Sequence, residues 1–123
     1  MSAINKFKIT TLARALMLQS AVLQQIVGTK IFPLRADLDT QGAFITYARE
    51  QYSVKRDKMG INEQNCRVAI ICVSADYDES QDMIEAVFDA LDGNHEGVTF
   101  NLVDSTEDFA NDKYVQVSLY EII

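Results

Sequence analysis

The densest run of chemistry-bearing side chains is Cys72 to Asp82, CVSADYDESQD, where an apolar segment gives way to four acids within seven positions. A calcium loop of the EF-hand type would take ligands from Asp76, Asp78, Ser80 and Asp82. It would also need glycine at its sixth position and a bidentate glutamate at its twelfth, where this chain has Gln81 and Val87. A phosphoryl-transfer site would use one aspartate as nucleophile and another as acid. Yet no lysine or arginine lies between Val68 and Asp112 to neutralise a phosphate, and twelve acids in that span would repel one. The third use is structural. Asp78 caps a helix, Gln81 answers three residues later, and Glu79 and Asp82 sit near the positive helix end. This reading accounts for residue type, position and periodicity together.

The other candidates for chemistry are scattered. His95, the single histidine, falls in a polar loop after Gly93 and is expected at the surface without a triad. Cys66 and Cys72 share one strand about 20 Å apart, too far to bond to each other, and are expected as buried free thiols. Two cysteines and one histidine at such spacing do not make a zinc site. No catalytic residue, cofactor or metal ligand is assigned, and the chain is read as a non-enzyme. The basic residues Arg49, Lys55, Arg56, Lys58 and Arg67, interleaved with Tyr47 and Tyr52, have the composition of a nucleic-acid surface, a solvated hairpin or a contact with an acidic partner.

The elements that must position these residues follow from periodicity. Thr10 to Val27 reads as one amphipathic helix, capped by Thr10 or Thr11 and stopped by Gly28. KIFP, residues 30 to 33, is a short extended piece before a polar loop from Leu34 to Gly42. AFITYAREQY begins a strand that continues to Lys58, with a turn at Met59-Gly60 and Asn62. CRVAIICVS, residues 66 to 74, is the clearest strand; its run VAIICV is apolar on both faces and is expected as a central strand covered on both sides, by one helix on each side or by one helix and a neighbouring subunit. Glu79 to Asp92 places Ile84, Val87, Phe88 and Leu91 on one helical face, and Phe88 and Leu91 are expected in the core. After a loop at Asn94 to Gly97, VTFNLVDS and KYVQVSLYEII form two strands around TEDFAND. The expectation is one α+β domain over residues 1–123. It has a mainly antiparallel sheet of four to five strands and two main helices, in the order α-β-β-(β)-α-β-β.

Charge narrows the partners. The formal net charge of -7 divides into +5 over residues 1–67 and -12 over residues 68–123. Sequence-specific nucleic-acid binding is disfavoured, because phosphate neutralisation would be reversed over much of the surface. No apolar run approaches the roughly 20 residues that span a bilayer, so no membrane partner is expected and the chain is expected to stay in the cytosol. A bipolar subunit can attract copies of itself. Lys55, Arg56 and Lys58 are therefore expected to meet Asp82, Glu85 and Asp89 of a neighbouring copy.

Several strings together resemble the tail-completion or tail-terminator proteins of long-tailed phages and prophages. They are the opening helix ending in Val27-Gly28, Lys30-Ile31-Phe32-Pro33, AFITYAREQY, RVAIICVSADYDESQDMIEAVFDALDG and TEDFANDKYVQVSLYEII. Where that family commonly has a proline before the aromatic strand, this chain has Gly42-Ala43. The resemblance implies a structural protein without catalytic residues. It forms a ring, typically a hexamer, at the head-proximal end of the tail tube, stops tube polymerisation and provides the head-joining surface. Implied partners are other copies of the chain, the tail tube protein and a head-completion or connector protein. The implied location is the virion tail, assembled in the bacterial host cytoplasm. Two other readings stay open: a head-completion or neck protein, and a small-molecule-binding regulatory α+β domain outside phage biology.

Overall fold

Ser20 breaks what the sequence reads as one helix. Its hydroxyl accepts the Leu23 N–H at 3.3 Å and starts a second helix, the competition with the backbone that serine offers at such positions. In the computed structural model, which describes residues 6–37 and 39–123, the chain opens with a 3-10 turn at Lys6–Lys8. Helix α1, Ile9–Leu18, follows and buries Ile9, Ala13 and Met17 at four-residue spacing. Thr10 and Thr11 lie inside it rather than capping it. Helix α2, Ala21–Ile26, buries Leu23, and Gly28 then turns the chain at φ +60.

Strand β1, Ile31–Pro33, pairs parallel with the start of β2, Phe44–Asp57, so that Ile31 faces Ile45 and Pro33 faces Tyr47. Leu38, in the loop expected between them, lies outside the described residues. β2 pairs antiparallel with β3, Gly60–Ser74, through a two-residue turn at Lys58 and Met59. Asp57 accepts the Met59 N–H at 2.7 Å, and Gly60 takes φ +110, which L side chains disfavour. Helix α3 spans Tyr77–Leu91, and β4, Gly93–His95, forms within the expected loop. β5, Val98–Ala110, and β6, Lys113–Ile122, complete the chain. Asn111 and Asp112, both at positive φ, make the tight turn between them, so the polar string TEDFA is strand and not connection.

The sheet is therefore mixed and six-stranded, curled into a half-barrel in the order β1-β2-β3-β6-β5-β4, with three α-helices. This corrects the expected four- to five-stranded sheet with two helices. KIFP and GNH are each too short to read as strands alone, and become strands only by pairing with long neighbours.

β3 is central, as its apolar run requires, but only one of its faces carries the helical layer. Cys66, Val68, Ile70 and Cys72 are buried in one cluster with Ile45, Tyr47, Phe100, Tyr120, Ile122 and the helical Met17, Leu23, Met83, Val87 and Leu91. On the other face, Ile71, Val73, Val115, Val117 and Leu119 are half-buried and no helix covers them. Of the two expected forms of cover, a helix on each side is not present among the described residues.

Beyond Cys66, β3 pairs only with β2, so Ser53 to Asn65 form a two-stranded arm past the body of the sheet. Six residues of strand carry its tip about 20 Å out. The root is braced from the N-terminal turn. The Phe7 ring lies 4.4 Å from that of Tyr52, and Arg49 stacks over Phe7 and donates to its carbonyl at 2.9 Å. The β5–β6 turn projects from the opposite end of the sheet, since Tyr114 pairs with Ser74.

Candidate assembly surface

The acidic stretch that opened the chemical question is a helix start. Asp76 is the N-cap, its carboxylate accepting the Asp78 N–H at 3.2 Å, so the cap falls two residues before the expected Asp78. The third helical residue is then Glu79, not Gln81, and it closes the cap through a serine. Ser74 Oγ donates to Glu79 at 2.7 Å and accepts the Asp76 N–H at 3.0 Å. Asp78 and Glu79 occupy the first turn, where the helix end favours negative charge.

Further along, the same turn is tied to the hairpin. Tyr77 donates to Glu107 at 2.9 Å, and this bond raises the Tyr77 pKa. Gln116 donates to the same carboxylate at 2.9 Å and to Ser80 Oγ at 3.4 Å. Glu107 is thus held as an acceptor between α3 and β6.

The remaining chemical candidates are placed structurally. Cys72 is fully buried, and burial pushes its thiol well above the usual range, the opposite of an activated nucleophile. His95 is half-buried in β4, its Nε2 2.7 Å from the Leu91 carbonyl at the end of α3 and its ring edge-on to Phe100. Among the described residues, no group of three or more histidine, cysteine, aspartate or glutamate side chains is arranged to hold a metal ion.

The predicted interface residues fall in two separate places. Asp82, Glu85 and Asp89 form an exposed acidic ridge along α3. With Val22, Gln25 and Ile26 they line a groove of about 410 Å³ between α2 and α3. Lys55, Arg56 and Lys58 are exposed near the tip of the β2–β3 arm. Of the wider basic set, Arg49 is engaged at the arm root and Arg67 is half-buried, paired with Glu121 in the strand register.

On the other flank of the ridge, the sequence reading missed a second depression. Ile84, Glu85, Phe88, Leu102, Ser105, Ser118 and Tyr120 line a cavity of about 220 Å³ between α3 and the β5–β6 pair. Phe88, expected in the core, is 39% exposed and forms its wall. The buried stripe of α3 runs through Met83, Ala86, Val87 and Leu91, and Phe88, like Ile84, lies at its edge. Ser118 Oγ and Tyr120 Oη, both buried, have no hydrogen-bond partner of good geometry. Burial raises the Tyr120 phenol to about 12, with the adjacent Ser118 hydroxyl acting the other way.

No protein-family model matches the chain, and no curated protein sequence matches it. Among solved structures, a chain of the virion of a native gene transfer agent particle has the same fold. The TM-score is 0.72 at 17% sequence identity, over 89% of this chain and 88% of that one.

Proposed function

We propose that this protein is a structural component of a tailed virion, built as a ring of identical subunits at the head-proximal end of the tail tube. There it stops tube polymerisation and presents the surface to which the head joins. The observation that carries this reading is the likeness, over nearly the full length of both chains, to a chain of a virion particle. The sequence resemblance to tail-completion and tail-terminator proteins points the same way. The charge placement supports this reading, with Lys55, Arg56 and Lys58 near the tip of the arm at one end of the sheet and an acidic helix on the body. Surfaces of that kind, different on the two sides of a contact, join copies head to tail and close into a ring when the rotation permits.

The partners in this reading are further copies of the chain, the tail tube protein and a head-completion or connector protein, met during assembly in the bacterial host cytoplasm. Deleting the gene from the genome that encodes it tests the assignment. Electron micrographs of lysates are expected to show free heads beside tails of uncontrolled length, restored to joined particles of uniform tail length by the gene in trans. Normal joined particles in the deletion strain would overturn the assignment.

A further inference from the structure

We infer that Met59, at the tip of the β2–β3 arm, inserts into the Phe88–Tyr120 cavity of a neighbouring copy. This inference rests on the ring reading above and specifies its contact.

Met59 is 94% exposed, the most exposed large apolar side chain described, on the two-residue turn that joins β2 and β3. A single exposed apolar residue is ordinary. One held at the end of a 20 Å arm, among Arg56 and Lys58, is placed as a knob. The cavity offers the complementary surface: apolar walls from Ile84, Phe88 and Leu102, the partly exposed Phe88 ring for a thioether to contact, and Glu85 on the rim. Its volume of about 220 Å³ lies below the roughly 300 to 1,000 Å³ of small-molecule sites and suits one unbranched side chain.

Charge selects this occupant further. The tip segment Lys55 to Lys58 carries three bases and one acid, and the cavity lies beside the ridge of Asp82, Glu85 and Asp89.

The contact cannot form within one chain. Tyr120 and Ser118 pair in register with Val68 and Ile70, eight and ten residues along β3 from Gly60. The tip therefore stands at least about 26 Å from its own cavity and points away from it. Knob and socket differ, so the contact is head to tail.

The test uses Met59→Asp and Phe88→Asp, both at exposed positions, with mass measured by light scattering and native mass spectrometry and folding checked by circular dichroism. The wild type is expected to form the ring. Each variant alone is expected to be a folded monomer, its dissociation concentration raised at least about thirty-fold, as for a central interface anchor. An equimolar mixture restores one good contact, from the intact tip of Phe88→Asp to the intact cavity of Met59→Asp, and is expected to give a one-to-one dimer. A Met59→Asp protein with the wild-type ring, or two monomeric variants that stay monomeric when mixed, would overturn the knob while leaving the ring. A wild type that stays monomeric at every concentration would overturn both.

Discussion

Glu79 accepts a hydrogen bond from Ser74 at 2.7 Å, and the same serine oxygen accepts the Asp76 N–H, so a side chain outside the helix carries the return half of its cap. The acids of this stretch are therefore not equivalent. Asp76→Ala is expected to cost about 1 kcal/mol as an N-cap, and Ser74→Ala about 1 to 3 kcal/mol by leaving Asp76 N–H and Glu79 without their partner. Asp78→Ala is expected to stay within about 0.5 kcal/mol of wild type. Urea unfolding of the three variants checks the order. A larger cost at Asp78 would return the cap to the position the sequence alone indicates.

Leu91 and Phe88 separate core from rim. Leu91 is fully buried beneath α3, and Leu91→Ala is expected to cost about 2 to 5 kcal/mol. Phe88→Ala is expected to cost only about 1 kcal/mol in the isolated subunit, because its ring is already partly in water. Comparable losses from thermal or urea unfolding would place Phe88 in the core after all.

The fold was legible where periodicity is long and neighbours are local. β2, the body of β3 from Cys66, α3 and the presence of a β2–β3 turn follow from alternation, helical spacing and a glycine, whereas the arm half of β3, Gly60 to Asn65, is too polar to read as strand. Three further features were not legible. Ser20 divides an apolar pattern that stays in phase across the break, so the pattern gives no sign of two helices. β1 and β4 have three residues each, too few to show alternation; β1 exists by pairing with β2 fourteen residues on, and β4 as the short arm of a hairpin whose turn residues read as loop. The exposed half of β5 has the polar composition of a loop, because a hairpin outside the core buries nothing there. Of the candidate surface, its charges were legible from composition. The cavity was not, since it needs the register that brings Ser118 and Tyr120 beneath Phe88.

Alkaline pH reports the buried hydroxyl. Tyr120 holds its proton to about 12 in the fold and to about 10 when unfolded. Between those values the unfolded state loses the proton first, so this contribution to stability is intact below about pH 10 and falls as pH rises toward 12. Cys72, also raised by burial, acts with the same sign from the ordinary thiol range upward. Tyr120→Phe is expected to match or exceed wild-type stability at pH 8, since it removes an unpartnered hydroxyl, and to lose less stability between pH 8 and 11. Urea midpoints at the two pH values measure this, and an equal alkaline loss in both proteins would refute it.

In the proposed contact, charge is expected to select orientation more than affinity. Exposed pairs of the arm bases with Asp82, Glu85 and Asp89 are expected to contribute about 0.2 to 1 kcal/mol each, so that added salt weakens the assembly gradually. Lys55→Glu with Arg56→Glu is expected to weaken association at low salt and to flatten its salt dependence, read by light scattering beside the wild type. An unchanged oligomer with unchanged salt dependence would make the arm a solvated surface.

The central claim is that this subunit closes on copies of itself into a ring, and imaging the purified protein tests it most directly. Electron microscopy with light scattering on the same sample is predicted to show closed rings of one subunit number, expected as six from the family resemblance. Within each ring the β2–β3 arm of one subunit should lie across α3 of the next. A monomer at all concentrations, or a two-fold dimer with the arms away from α3, would contradict it.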